Sequence, residues 1–284
     1  MKELIAQNRE LIRLALEEDI GAGDVTTDAL IAPERTATAI ISAKESLVIA
    51  GLSVVKEVFT TLDPAASFDT TFQDGDRVEN EDDIVAVRGT LRALLTGERT
   101  ALNFLQRLSG ISTNTRKYVE RVAETGVRLT DTRKTTPGWR SLEKYAVTVG
   151  GAHNHRFGLY DAILIKDNHI AACGGISEAV AKVQSDKDPS LQIEVEVSDL
   201  GQVNDALESG ADIIMLDNMN LADIHRAVAF VKGRALIEVS GGVTLDRLAE
   251  IADTGVDIIS IGALTHSARA VDISMRLAGV NTIV

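Results

Sequence analysis

From residue 127 onward, apolar runs and polar-apolar mixtures alternate with a steady beat. "VRLTD", "AILIKD", "LQIEVEV", "ADIIMLD", "RALIEVS" and "VDIISIG" are short and nearly all apolar, while "DLGQVNDALESG" and "TLDRLAEIADTG" between them carry one apolar face. Strands buried on both faces read as continuous apolar runs, and their alternation with amphipathic helices predicts a parallel sheet. Glu196, Asp217, Ser240 and Gly262 close successive strands at spacings of 21, 23 and 22 residues. A βα unit repeating at that length curls into a barrel. Six or seven such strands are visible, fewer than a closed barrel needs.

The first hundred residues have another rhythm. Leu4, Ile5, Leu11, Ile12, Ala15 and Leu16 share one face of an opening helix, and "GAGDVTTDAL" is expected to be a polar connector. "TATAIISA" and "DIVAVRG" predict strands, "DPAASF" and "QDGD" turns, and a long helix starts near "TGERTALNFLQRL". Together these predict an α+β layer ahead of the barrel.

Charge sharpens the picture. The chain of 284 residues has 29 Lys+Arg against 42 Asp+Glu, a net charge of −13. Residues 131–170 run the other way, with six cations against four acids; at +2, they leave −15 on the rest, and they hold three of the five histidines. Nucleic acid needs a broad basic face and is excluded as a partner; a small anion in a local pocket fits. No stretch approaches the ~20 apolar residues that span a bilayer. A lone cysteine, Cys173, and the absence of a signal-like apolar core predict a cytoplasmic location.

In α/β barrels the reactive groups sit at the C-terminal strand ends. That rule selects Asp131, Arg133 and Lys134; Lys166, Asp167, Asn168 and His169; Glu196; Asp217 and Asn218; "SGG" at 240–242; and "GALTHS" at 262–267. The selection sorts by charge: cations first, then carboxylates, then small residues. Glycine turns leading into helix starts bind phosphate. Glu196 and Asp217 are candidates for Mg²⁺, or for an ion-pair network with neighbouring lysines. Arg133, Lys134, Arg156 and Lys166, with His155, suit a substrate with more than one carboxylate. His153 and His155 alone lack the third and fourth ligands of a zinc site. Trp139 is expected to pack in the core.

"EDIGAGDVTT", "LLTGERTALNFLQRLSGIST", "TRKTTPGWRSLEKYAV", "GGAHNHRFGLYDAILIKDNHI", "EVEV", "MLDNM", "VSGGV" and "SIGALTHS" resemble, in order along nearly the whole chain, the quinolinate phosphoribosyltransferase family. One departure is Ala152, where the family shows a third glycine. The resemblance implies an open α/β sandwich domain, residues 1–109, followed by an incomplete, TIM-like α/β barrel, residues 110–267, with a C-terminal helix of about 268–284 returning to the first domain. It implies transfer of phosphoribosyl from phosphoribosyl pyrophosphate to quinolinate with loss of CO₂, by a homodimer or higher oligomer.

By the same resemblance Arg99 reaches a neighbouring subunit's site. Thr132, Arg133, His155, Arg156 and Lys166 face quinolinate, with Lys134 between the acid and the sugar phosphate. Glu196 and Asp217 face the ribose and, indirectly, its Mg²⁺-bound pyrophosphate. Ser240, Gly241, Gly242, Ile261, Gly262, Ala263 and His266 hold the 5′-phosphate. Lys134, Lys166, Glu196 and Asp217 are the catalytic candidates. Three rival readings share parts of this pattern: a phosphoribosyltransferase for another base, a Schiff-base aldolase using Lys166, and a non-catalytic sensor of a phosphorylated metabolite.

Overall fold

The computed structural model describes residues 2–186, 188 and 190–281. In chain order it begins with α1 (Lys2–Ile20), α2 (Val25–Leu30), β1 (Thr36–Ala43), β2 (Leu47–Val48), α3 (Leu52–Leu62), β3 (Ser67–Asp69), β4 (Arg77–Val78), β5 (Asp83–Thr90) and α4 (Leu91–Arg121). Then come β6 (Arg128–Thr130), α5 (Arg140–Gly150), β7 (Ile163–Ile165), α6 (Asp167–Cys173), α7 (Ile176–Asp186), β8 (Ile193–Val197), α8 (Leu200–Glu208) and β9 (Ile213–Asp217). The chain closes with α9 (Leu221–Val231), β10 (Leu236–Ser240), α10 (Leu245–Ala252), β11 (Ile258–Ser260), α11 (Ala263–His266) and β12 (Ile273–Asn281).

Packing divides the chain into two units. The first comprises the chain up to Arg116, Thr136–Gly151 and the segment from Ser267. Its main sheet is antiparallel, in the order β12-β1-β5-β3. The α1 helix buries Ile5, Ile12 and Leu16, as its period of 3.6 requires. The expected polar connector contains α2, because Asp24 caps it by accepting the N–H groups of Thr26 (3.2 Å) and Thr27 (2.9 Å). Trp139 stacks on buried Phe104, with ring centroids 4.6 Å apart, and so packs as expected.

Two sequence expectations fail in this unit. The C-terminal segment is a strand, not a helix: β12 runs antiparallel to β1, pairing Ile273 with Ala43 and Arg276 with Ile40. Ile273, Met275 and Leu277 recur with period 2, Gly279 disfavours a helix, and the edge of β1 supplies the hydrogen bonds. The last three residues of the expected helix, 282–284, lie outside the described residues. Residues 136–151, expected in the barrel, pack with the first unit. There Arg107 donates to the fully buried Glu143 (Nη2 to Oε1, 2.8 Å), which also accepts from the Thr136 hydroxyl at 2.9 Å.

The second unit, Lys117–Thr135 and Ala152–His266, holds six parallel strands in the order β6-β11-β10-β9-β8-β7. Among the described residues no ladder joins β7 to β6, so the barrel is incomplete as expected. Val195, Ile214, Leu216, Ile237, Val239 and Ile259 are buried along these strands. The alternate positions are polar: Glu194 and Glu196 on β8, Glu238 and Ser240 on β10, Ser260 on β11. Period-2 alternation therefore turns a polar set away from the apolar one.

Candidate active site

Of those polar positions Glu196, Ser240 and Ser260 line a pocket of about 460 Å³ at the C-terminal ends of the strands. Its walls are Thr132, Arg133 and Lys134 after β6; His155 and Arg156 before β7; and Lys166 after it. Glu196, Asp217 and Asn218, and the turn Ser240–Gly241–Gly242 complete the ring. Cations, carboxylates and the glycine turn thus meet in one cavity, in the strand order that the sequence displays.

The cationic side is held by backbone geometry. Thr132 accepts the Lys134 N–H at 3.1 Å, and Thr265 donates to the Lys134 carbonyl at 2.9 Å. The buried Asp131 accepts the His155 N–H at 2.9 Å, and the His153 backbone pairs with β6. Ala152 is buried without left-handed backbone, while Gly151 alone takes the turn at φ +102°. The methyl at the position where the family has glycine is therefore accommodated. Burial first, then repulsion from Arg133, lowers the Arg156 pKa, the expected mark of two guanidinium groups converging on one space.

On the acidic side Lys166 Nζ forms an ion pair with Glu196 Oε2. The ion-pair alternative for Glu196 is thus realised. The pair holds Nζ against a carboxylate, which disfavours its use as a Schiff-base nucleophile. Asp217 accepts from Asn218 Nδ2 at 2.9 Å, and Asn218 takes left-handed backbone, φ 55°. Gly241 (φ +84°) approaches Asn218 so closely that a Cβ would stand 2.3 Å from its Oδ1. Only glycine combines that backbone with that proximity.

Not every predicted residue lines the pocket. Gly262 lies beside it, where a Cβ would stand 3.0 Å from the Lys134 side chain and 3.1 Å from His266. Ile261 is buried, and Ala263 and His266 lie on the short α11. Arg99 is on α4 in the first unit, lining a separate pocket with Asp19, Asp24 and Thr96. His153 is exposed and does not join His155 in a shared cluster.

Two functional candidates escaped the sequence reading. Glu194 and Glu238 are 3% and 1% exposed, and their carboxylates lie 3.2 and 3.4 Å from Nε2 of His155. Alternation was the available signal, since each stands two residues before a recognised site residue and shares its face. Burial alone would lower the His155 pKa, but the neighbouring Glu194 and Glu238 carboxylates raise it, so the Nε2 proton facing them is held tightly. Burial, followed by the charge of Glu238, raises the Glu194 pKa against the pull of His155. Nδ1 of His155 accepts the Arg156 N–H at 2.8 Å, a geometry that keeps the ring proton on Nε2, facing the two carboxylates.

Such a site, cationic on early strands and glycine-lined on late ones, defines a barrel enzyme handling small phosphorylated and carboxylated molecules. Comparisons with known proteins narrow the class. Residues 24–109 match the model of the quinolinate phosphoribosyl transferase N-terminal domain and residues 111–276 that of its C-terminal domain. The chain belongs to the quinolinate phosphoribosyltransferase family, a family of pentosyltransferases in pyridine nucleotide biosynthesis. It is 44% identical to a Bacillus subtilis protein described as probable nicotinate-nucleotide pyrophosphorylase (carboxylating), over 95% of this chain and 93% of that one. A tobacco (Nicotiana tabacum) quinolinate phosphoribosyltransferase (decarboxylating) is 38% identical, over 94% and 81%. The crystal structure of NadC from Streptococcus pyogenes superposes with a TM-score of 0.93 at 43% identity, covering 98% of this chain and 97% of that one.

Proposed function

We propose that this pocket joins quinolinate to phosphoribosyl pyrophosphate and releases nicotinate mononucleotide, pyrophosphate and CO₂. The observation that carries the reading is the convergence of Arg133, Arg156 and Lys166 with Glu196, Asp217 and the Gly241 turn in one cavity. A base without carboxylates has no use for three cations in one cavity. Quinolinate has two adjacent carboxylates, and guanidinium forks match carboxylate geometry.

In this reading the cations draw together two anions that repel each other in water. As pyrophosphate leaves, positive charge develops on the ribose, and Glu196 and Asp217 stabilise it from the acidic side. The pyridine nitrogen attacks the sugar carbon, the C–O bond to pyrophosphate breaks, and the ring becomes a pyridinium. That ring accepts the electron pair left when the neighbouring carboxylate departs as CO₂. A proton then adds at the vacated carbon, with Lys134 or Lys166 as the candidate donor. The 5′-phosphate is assigned to Ser240, Gly241, Gly242 and the neighbouring Ile261, Gly262, Ala263 and His266.

Mg²⁺ fits this donor set. Glu196 and Asp217 offer two strand-end carboxylates on the cavity wall, and Mg²⁺ commonly takes one or two carboxylates plus substrate phosphate oxygens. Bound there with the pyrophosphate, it would neutralise the leaving group. Arg99, exposed on α4, is the residue assigned to a neighbouring subunit's site in a homodimer or larger assembly. No helix among the described residues is long and apolar enough to cross a membrane. A cytoplasmic location agrees with the single cysteine.

The test is incubation with phosphoribosyl pyrophosphate, Mg²⁺ and either quinolinate or nicotinic acid, with products read by mass spectrometry. Nicotinate mononucleotide from quinolinate alone is expected. Product from nicotinic acid alone would move the chain to a non-decarboxylating transfer.

A further inference from the structure

Glu194 and Glu238 stand two residues before Glu196 and Ser240 on β8 and β10, and do not line the pocket of the reading above. What they touch is His155. The ring is clamped on both sides: Nε2 lies 3.2 Å from Glu194 and 3.4 Å from Glu238, while Nδ1 accepts the Arg156 N–H at 2.8 Å. The His155 N–H is fixed in turn by Asp131, at 2.9 Å. Three strands therefore converge on one residue: β6 holds the His155 backbone through Asp131, while β8 and β10 hold its ring through Glu194 and Glu238.

The residue so anchored is followed at once by Arg156, whose guanidinium lines the pocket and donates to the Ala162 carbonyl at 3.2 Å. A guanidinium on a loop loses aim by rotation of its backbone, and the bond from its own N–H to the preceding ring removes that freedom. We infer that Glu194 and Glu238 are positioning residues for quinolinate recognition, holding the His155 ring so that its Nδ1 fixes Arg156 in the carboxylate-reading orientation. His155 then acts through Arg156, and its Nε2–H is turned toward the buried carboxylates. Neither glutamate is a catalytic residue.

This inference rests on the proposed reaction, and its test separates the two. The wild-type enzyme is first assayed with quinolinate; failure there overturns the reaction and leaves the ring geometry to be judged by ¹⁵N NMR of the labelled, ligand-free enzyme. The expected spectrum shows a protonated Nε2 and a bare Nδ1 on His155. The variants are Glu194→Leu, which removes the acceptor, and Glu194→Gln, which keeps one. Glu194→Leu should raise the quinolinate KM at least tenfold while kcat and the phosphoribosyl pyrophosphate KM stay within about threefold. Glu194→Gln should recover most of that loss. A role confined to packing would lower the active fraction and leave both KM values alone. An unchanged quinolinate KM in folded Glu194→Leu, or equal changes in both KM values, would overturn the inference. So would a proton on Nδ1 in the wild-type enzyme, which decides the matter even if the leucine variant does not fold.

Discussion

Replacing Gly241 by alanine should damage the glycine turn in two ways that can be told apart. The backbone at Gly241 has φ +84°, a left-handed conformation that costs a residue with a Cβ about 1–2 kcal/mol. The new Cβ would also stand 2.3 Å from Oδ1 and 2.6 Å from Cγ of Asn218, well inside contact distance, so Asn218 must swing away. That movement breaks its 2.9 Å bond to Asp217, worth about 1 kcal/mol at this solvent-reached position. The sum is about 2–3 kcal/mol, or roughly 5–10 °C in Tm. Initial rates with each substrate varied, beside calorimetry, provide the assay. The phosphoribosyl pyrophosphate KM should rise at least tenfold while the quinolinate KM stays within about threefold. The double variant Gly241→Ala/Asn218→Gly relieves the collision and the left-handed strain at Asn218 (φ 55°), so it should melt above the single variant. A single variant with wild-type Tm and wild-type KM values would refute this account of the turn.

Other substitutions address the remaining contacts. Arg133→Lys and Arg156→Lys keep the charge and lose the planar fork, so each should raise the quinolinate KM about 10- to 100-fold, measured at saturating phosphoribosyl pyrophosphate; equal KM values would argue against bidentate recognition. Glu143→Ala removes a fully buried partner of the partly exposed Arg107 and should cost about 2–4 kcal/mol in urea unfolding; a loss below about 1 kcal/mol would show that the pair is not stabilising. Asp63 accepts the Thr90 N–H at 2.7 Å, and that bond, against the opposing pull of burial, lowers its pKa. Its folded pKa thus lies below the unfolded one, so its stabilisation is full above about pH 4 and fades as pH falls through the folded value. Asp63→Asn should be less stable than wild type at pH 7, with the gap closing below pH 4 in urea melts; a gap independent of pH would contradict the assignment.

Periodicity alone located the six parallel strands within about three residues at each end, because buried strands and amphipathic helices leave opposite hydrophobic signatures. It also placed Lys166, Glu196, Asp217 and Ser240 at strand ends, where one rule about barrels makes them a site. What it could not see was pairing between distant segments. The strand β12 needs the edge of β1 more than two hundred residues away, where the family resemblance had implied a helix. Asp24 turned an expected connector into α2 through local hydrogen bonds that composition does not display. Glu194 and Glu238 carried no signal as isolated letters inside apolar strands. Only the curl of the sheet brings β8 and β10 to the same imidazole, where both buried carboxylates stand beside it. The sequence by itself determined the strands, their order of charge and the class of ligand. The tertiary structure alone decided which buried groups orient the cations, since that depends on distances between strands and not on position along the chain.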